Sequence, residues 1–373
     1  MHLMRLSSFI GICLCALLAG CGVSKDKAFQ LQPVSYRNLP NWRNDDLTQA
    51  LPAFEKNCEA LGLRDEWKTF CDGIKRLKGA SSKQIRRFVE STMTPYAVYS
   101  YGSDKGTFTG YYESSLKGAR QKGDKNIYPI YGLPPDLVML DTRTVCQKGG
   151  DTGQRVGRIE NGRFLPYLKR DEINEATCKA PVVMWVDNPV DAFILHIQGS
   201  GRVQTPDGVV HLGYAGNNGH EFVGIGSIMA GQGLLENGKA SMPHIRQWLN
   251  ENPQKATELM NKNPRYIFFK ELPQADGPLG ALGVSLTPKR SLAVDTRFIP
   301  LGSLMYLDTT SPDGEKIQHL VVAQDKGGAI KGGIRGDYFW GYGEEAFQNA
   351  GRMKSQGRYF ILLPKGKEPL ASF

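Results

Sequence analysis

The chain has 373 residues, with 46 Lys plus Arg against 37 Asp plus Glu, a formal net charge of +9, and 40% hydrophobic residues. That length is enough for two domains. The positive residues are scattered, without a basic run or zinc-finger spacing, which argues against nucleic acid as a partner and leaves other anionic surfaces open.

Arg5 supplies a positive start, and the apolar stretch Phe9 to Leu18 is broken only by Gly11. A run this short cannot span a bilayer and reads as the core of a signal peptide. Leu18-Ala19-Gly20-Cys21 then resembles the lipobox of bacterial lipoproteins. The resemblance implies cleavage before Cys21, acylation of that cysteine and, with Gly22 following, an anchor in the outer membrane facing the periplasm. An ordinary signal peptide that contains a cysteine is the other reading. Residues 22–43 are polar with two prolines and read as a tether. Of seven cysteines, the resemblance implies that Cys13 and Cys15 leave with the leader and that Cys21 is lipidated. Cys58, Cys71, Cys146 and Cys178 remain, an even set for an oxidising compartment. Proximity in sequence pairs Cys58 with Cys71 and Cys146 with Cys178. Zinc is disfavoured, because no two of these cysteines have C-x-x-C spacing and no histidine is near.

From residue 45 to 60, Leu47, Leu51, Phe54 and Cys58 recur at helical spacing, and Ser81 with Gln84 forms a capping box before Ile85, Phe88 and Val89. Thr107 to Glu113, Val182 to Val186 and Phe193 to Gln198 are short β-branched or aromatic runs that predict strands. Residues 115–180 read as loop-rich, with a long polar region around 146–162. Helices are expected over 221–235, over 243–249 behind Ser241, and over 253–260. Beyond them, Tyr266 to Phe269, Leu304 to Leu307, Leu320 to Ala323 and Tyr359 to Leu363 read as strands. Glu344 to Lys354 reads as a helix stopped by Gly357. Short strands, many glycines and few βαβ alternations predict a mainly β protein of barrels with helical decoration rather than a doubly wound sheet.

The stretch VVAQDKGGAIKGGIRGDYFWGY, residues 321–342, carries the chemistry. A buried strand delivers Gln324-Asp325, a loop with five glycines follows, and Asp337 leads into Tyr338, Phe339 and Trp340. Two carboxylates twelve residues apart can meet across such a loop. Aromatic neighbours offer flat surfaces to sugar rings and desolvate an acid, which raises its pKa. Plain readings stay open: Asp325 as a buried aspartate bonded to loop amides, Asp337 as a turn aspartate. His196 and His220 lie in no metal-binding string, and Ser200 lacks a nucleophile elbow, so both histidines read as core or wall residues.

The same stretch, with AGRMKSQGRYFILLP after it, resembles the C-terminal 3D region of the membrane-bound lytic murein transglycosylase A family. TGYYE at 109–113, YPIYGLP at 128–134, HIQGSGRV at 196–203, GYAGNNGHEFVGIG at 213–226, SMPHIRQW at 241–248 and NPRYIFF at 263–269 follow in family order. The resemblance implies a double-psi β-barrel over residues 44–113 plus 265–364 and an inserted barrel-like domain over 114–264. A groove would lie between them, and 365–373 would form a tail. It implies cleavage of the β-1,4 bond between N-acetylmuramic acid and N-acetylglucosamine in peptidoglycan, leaving 1,6-anhydromuramoyl ends. Asp337 would be the single acid and base, with Asp325 supporting it. Thr109, Tyr111, Tyr112, Glu113, Gln198, Ser200, Gly201, Lys331, Tyr338 and Trp340 are candidate sugar contacts, although strand alternation lets only one of Tyr111 and Tyr112 face the groove. No cofactor or metal is implied. The partners are the glycan strands, the outer membrane through the lipid and, unreadable from sequence, a wall-synthesis complex. A hydrolase using Asp325 to activate water, or a wall-binding scaffold without catalysis, are the competing readings.

Overall fold

The computed structural model describes residues 29–142, 153–236, 240–273 and 277–366; the leader, Cys21 and Cys146 lie outside them. The chain opens with β1 (Phe29–Pro33), which pairs with residues 96–100, and Leu39 and Trp42 are buried in the core, so residues 29–43 are packed into the fold and not a tether. Three helices follow, α1 (Leu51–Leu61), α2 (Asp65–Ile74) and α3 (Ser82–Thr92). α1 buries Leu51, Phe54 and Leu61 as its apolar spacing predicts, and α3 begins where Ser81 N–H donates to Gln84 Oε1 at 2.9 Å. α2 was not anticipated; the expected Cys58–Cys71 disulfide ties it to α1. β2 (Met93–Ser100) and β3 (Gly106–Ala119) follow.

The middle of the chain holds β4 (Tyr128–Tyr131), β5 (Val138–Asp141), β6 (Gln154–Glu160), β7 (Arg163–Pro166), β8 (Val182–Val186), α4 (Pro189–Gln198), β9 (Gly201–Thr205) and β10 (Gly208–Asn217). Then come α5 (Ile225–Gly231), α6 (Met242–Glu251), α7 (Pro253–Asn261) and β11 (Ile267–Leu272). Two expectations are corrected. The run Phe193 to Gln198 is helical: Asn188 accepts from Val190 and Asp191 N–H, Pro189 starts the helix, and Gly199 ends it in the left-handed region. A short, mostly apolar run cannot by itself distinguish strand from helix. Within the region read as loop, β6 and β7 form a hairpin across Asn161-Gly162, both with positive φ, which is the mirror-image turn that Asn-Gly favours.

β12 (Ser291–Val294), β13 (Leu304–Thr310), β14 (Lys316–Asp325), β15 (Arg335–Tyr342), α8 (Gly343–Arg352) and β16 (Lys354–Pro364) complete the chain. α8 ends at Arg352, and Gly357 lies inside β16 instead of stopping the helix. The architecture is mainly β with helices, as expected. Pairings run β16–β13–β14–β12–β15–β3 and return from β3 to β16, so six strands close a ring, with β12–β14 and β15–β3 parallel. Phe108, Leu292, Met305, Leu307, Val321, Tyr338 and Ile361 fill one continuous core with it. β3 outruns this ring. Its second half pairs Ser114–Lys117 with Gly201–Gln204 of β9 and thereby starts the second sheet, β9–β10–β11.

The N-terminal segment is fastened to the ring by a buried ion pair. Arg290 Nη1 donates to Asp45 Oδ1 at 2.9 Å, and Leu320 N–H donates to Asp45 Oδ2 at 2.7 Å. Both side chains are almost inaccessible to solvent. Breaking one partner of such a pair strands the other without compensation, at a cost of about 3–5 kcal/mol. Asp45→Ala is therefore expected to lower unfolding stability by that order in urea titration, whereas removal of the exposed Lys75–Asp72 pair changes it little.

Candidate active site

Strand register builds the site. Asp325 on β14 and Asp337 on β15 both align with Ala293 of β12, and Asp337 aligns with Thr109 of β3. The four residues form one rank across four adjacent strands, which leaves the two aspartate backbones roughly 10 Å apart at the usual strand spacing. Between them stands an alanine, the smallest side chain a strand can place there.

Thr109 Oγ1 donates to Asp337 Oδ1 at 2.5 Å, and Arg335 Nη2 donates to Thr109 Oγ1 at 2.8 Å. Arg335 also donates to the Thr107 and Gly336 carbonyls. Although part of Asp337 remains accessible, its recessed setting dominates: desolvation pushes its pKa up, against the opposing pull of the Thr109 hydrogen bond and the Arg335 charge. Asp325 Oδ1 accepts from the backbone N–H of Ala281 and of Lys326, both at 2.9 Å. Burial pushes Asp325 up to about 6, and the Asp337 charge adds to the rise while the amides oppose it. The amide bonding that sequence left as a plain reading of Asp325 is therefore present.

Tyr111 sits two residues beyond Thr109 on the same face of β3. Its ring packs on Phe339 with centroids 5.1 Å apart. Its hydroxyl feels both aspartate charges, and burial raises its pKa, yet it makes no well-formed hydrogen bond. Two supports lie behind this face. Ser291 Oγ donates to Gln324 Oε1 at 2.6 Å and Gln324 Nε2 to Ala53 O at 3.1 Å, fixing the end of β14. Asp295 accepts from Gly332 N–H at 2.7 Å and pairs with Arg297, which holds its carboxyl well below the usual range and pins the glycine-rich loop.

Other sequence candidates fall elsewhere. Tyr112 faces the helical core, its ring 5.2 Å from that of Phe347. Glu113 is buried, with both oxygens engaged by Arg202 and His211, so it has no free face for a sugar. Tyr338 fills the ring interior, donating to Lys289 O at 3.0 Å and lying 2.9 Å from His319 Nε2. Trp340 packs inward beside it and donates to Met353 Sδ. Both are corrections with one cause: alternation puts residues 338 and 340 on the face opposite to 337 and 339. Gln198 Oε1 accepts from Tyr112 N–H at 3.3 Å, Ser200 is half-buried, and Lys331 is exposed. Gly201 is buried against Ser114, where a Cβ would lie 2.9 Å from Ser114 O. His196 is buried beside Arg170, its Nδ1 3.0 Å from Nη1, and His220 meets the Tyr167 carbonyl. Cys178 is a buried free thiol; its expected partner Cys146 lies outside the described residues. A cavity of about 700 Å³ lined by Tyr36, Arg37, Trp42 and Glu90 shares no residue with the aspartate rank.

Phe339, Arg335 and Asp295 were missed in the sequence. Period-two counting from Asp337 would have found the first two; nothing local marks Asp295 as the anchor of a loop nearly forty residues on.

Residues 107–270 match the family described as MltA specific insert domain, and residues 290–363 match the 3D domain. The crystal structure of MltA from Neisseria gonorrhoeae superimposes with a TM-score of 0.81 at 37% identity, over 92% of this chain and 94% of that one. The lytic transglycosylase LtgG of Burkholderia pseudomallei gives 0.65 at 38% identity, over 90% and 96%. Membrane-bound lytic murein transglycosylase A of Escherichia coli (strain K12) is 29% identical over 294 residues, 76% of this chain and 72% of that protein.

The raised Asp325 value has a stability consequence. The fold favours its neutral form, so ionising it between the ordinary value of 3.8 and about 6 costs folding energy. Asp325→Asn removes that cost. It is expected to match wild type in stability near pH ~4 and to exceed it by up to about 3 kcal/mol near pH ~7, as measured by urea unfolding at the two pH values.

Proposed function

The chain belongs to the MltA family of lytic murein transglycosylases, peptidoglycan-cleaving lyases, and on that premise we propose a single-aspartate mechanism that leaves 1,6-anhydromuramoyl ends. The scissile bond is the β-1,4 link between N-acetylmuramic acid and N-acetylglucosamine. Protonated Asp337 gives its proton to the glycosidic oxygen as the bond to the muramoyl anomeric carbon breaks. The N-acetylglucosamine leaves with a free 4-hydroxyl. The Asp337 carboxylate then takes the proton of the muramoyl 6-hydroxyl, whose oxygen closes on the anomeric carbon. The acid is regenerated and no water is consumed. Because the nucleophile belongs to the substrate, one carboxyl can serve both steps.

The observation that carries this reading is the setting of Asp337: burial favours the protonated form an acid must start in, while the Thr109 hydroxyl stabilises the carboxylate it becomes. Asp325, largely ionised above pH ~6, would oppose the positive charge developing at the sugar ring. Tyr111, Gln198, Ser200 and the Gly201 backbone are the proposed sugar contacts. The six-strand ring of mixed parallel and antiparallel pairs supports a double-psi barrel assignment for 44–113 plus 265–364, with 114–264 as the inserted domain. For location we propose an outer-membrane anchor through acylated Cys21. The Cys58–Cys71 disulfide fits an oxidising compartment, and the curated relatives are named membrane-bound.

Purified sacculi digested by the wild-type enzyme are expected to release muropeptides one water lighter than reducing-end products, by mass spectrometry. Asp337→Asn should cut that release by about a hundredfold or more. Reducing ends from the wild type would overturn the reaction, and undiminished release by the variant would overturn the assignment of Asp337.

A further inference from the structure

We propose that Thr109 is a positioning residue for Asp337: held by Arg335, its hydroxyl keeps Oδ1 permanently occupied, so that the proton exchanged with substrate resides on Oδ2. This rests on the catalytic reading of Asp337 and replaces the expectation that Thr109 binds sugar.

The argument starts from what a hydroxyl can do. It has one proton and accepts through lone pairs. The Arg335 guanidinium always carries protons to donate, so the Nη2 contact at 2.8 Å commits the Thr109 oxygen to accept on that side. The Thr109 proton then points to Asp337 Oδ1 at 2.5 Å. Arg335 is itself fixed by two backbone carbonyls, Thr107 O and Gly336 O, on the two strands that carry Thr109 and Asp337. Guanidinium, hydroxyl and carboxyl thus form a one-way chain anchored at the Arg335 end. A carboxyl whose Oδ1 already accepts a hydrogen bond carries its own proton on the other oxygen. Among the described residues no hydrogen bond reaches Oδ2, which leaves that oxygen to the substrate. The register is what makes this possible, because Thr109 and Asp337 are aligned residues of a parallel pair and point to the same side.

The charged and titratable groups around Asp337 are few. Arg335 lies on its own strand, Tyr111 on β3 and Asp325 two strands away on β14, while β12 contributes only Ala293 to the rank. Thr109 and Arg335 both favour the ionised form and work against burial. Together they strengthen the acid and lower the barrier to giving up its proton.

The sign of the test follows. Activity requires the protonated acid and falls as pH rises through its pKa. Removing the Thr109 donor raises that pKa, moving the alkaline limb upward, and also weakens the acid at its plateau. With the full mature enzyme on soluble glycan strands, Thr109→Val is expected to lower kcat by roughly tenfold to a hundredfold, the scale of one hydrogen bond to a charged group. KM should hold, and the limb should move up by roughly one pH unit. Arg335→Met should move the limb the same way, and Thr109→Ser, which keeps the hydroxyl, should restore both rate and limb. A Thr109→Val enzyme with raised KM and an unmoved limb would make Thr109 a sugar contact and overturn the proposal. If Asp337→Asn remains active, the underlying reading of Asp337 fails instead. Should Thr109→Val not fold, Arg335→Met and Thr109→Ser decide the matter by whether the limb moves in the first and stays in the second.

Discussion

The site depends on the parallel pairing of β15 with β3. Thr109 and Asp337 are 228 residues apart in the chain, and one interstrand register brings hydroxyl and carboxyl to hydrogen-bond distance. A shift of one residue would turn every side chain of β15 over, placing Tyr338 where Asp337 stands and driving the carboxylate into the ring interior. What prevents that slip is the core itself. Tyr338 is fully enclosed and hydrogen-bonded at Lys289 O, Gly336 meets Phe108, and Leu292 packs from β12. The packing of residues that never meet substrate sets the geometry of the one that would.

Two carboxyls in one rank are tuned by different means. Desolvation raises both, because the closed ring leaves little water behind them. Asp325 is restrained by two fixed backbone N–H groups, Asp337 by a side-chain hydroxyl and a guanidinium. Backbone amides at a strand end form a rigid cradle suited to a charge that stays. A hydroxyl adapts to an oxygen whose charge comes and goes. Under the proposed single-aspartate mechanism, the charge assigned to Asp325 and the proton exchange assigned to Asp337 thus have a structural counterpart in the donors that each carboxyl meets.

Much of this was legible in the chain. Asp325 at a strand end and Asp337 after a glycine-rich loop could be read directly, as could α1, α3, α6 and α7, whose apolar periods and caps are local signals. Failures came where the signal was not local. The short, mostly apolar run at 193–198 fits strand or helix, and only the cap at Asn188 with Gly199 decides. Tyr338 and Trp340 were expected as sugar contacts, whereas pleating divides the aromatic block the other way: Phe339 joins the carboxyl face with Tyr111, and Tyr338 and Trp340 go inward. Glu113 shares a motif with Thr109 and Tyr111, yet its role is set by Arg202 and His211, partners 89 and 98 residues away that no spacing rule reveals.

That burial of Glu113 also bears on how the two halves of the molecule are joined. β3 runs unbroken from the ring into the second sheet, so Thr109, Tyr111 and Glu113 are successive same-face positions on one strand. Glu113 receives Arg202 of β9 and His211 of β10 where β3 changes partners, and the Arg202 guanidinium in turn lies 3.6 Å from the ring centroid of Tyr342 at the end of β15. One buried carboxylate therefore binds three strands at the junction, four residues along β3 from Thr109. Wedging the sheets apart there would expose this charge network and strain the continuous strand at once.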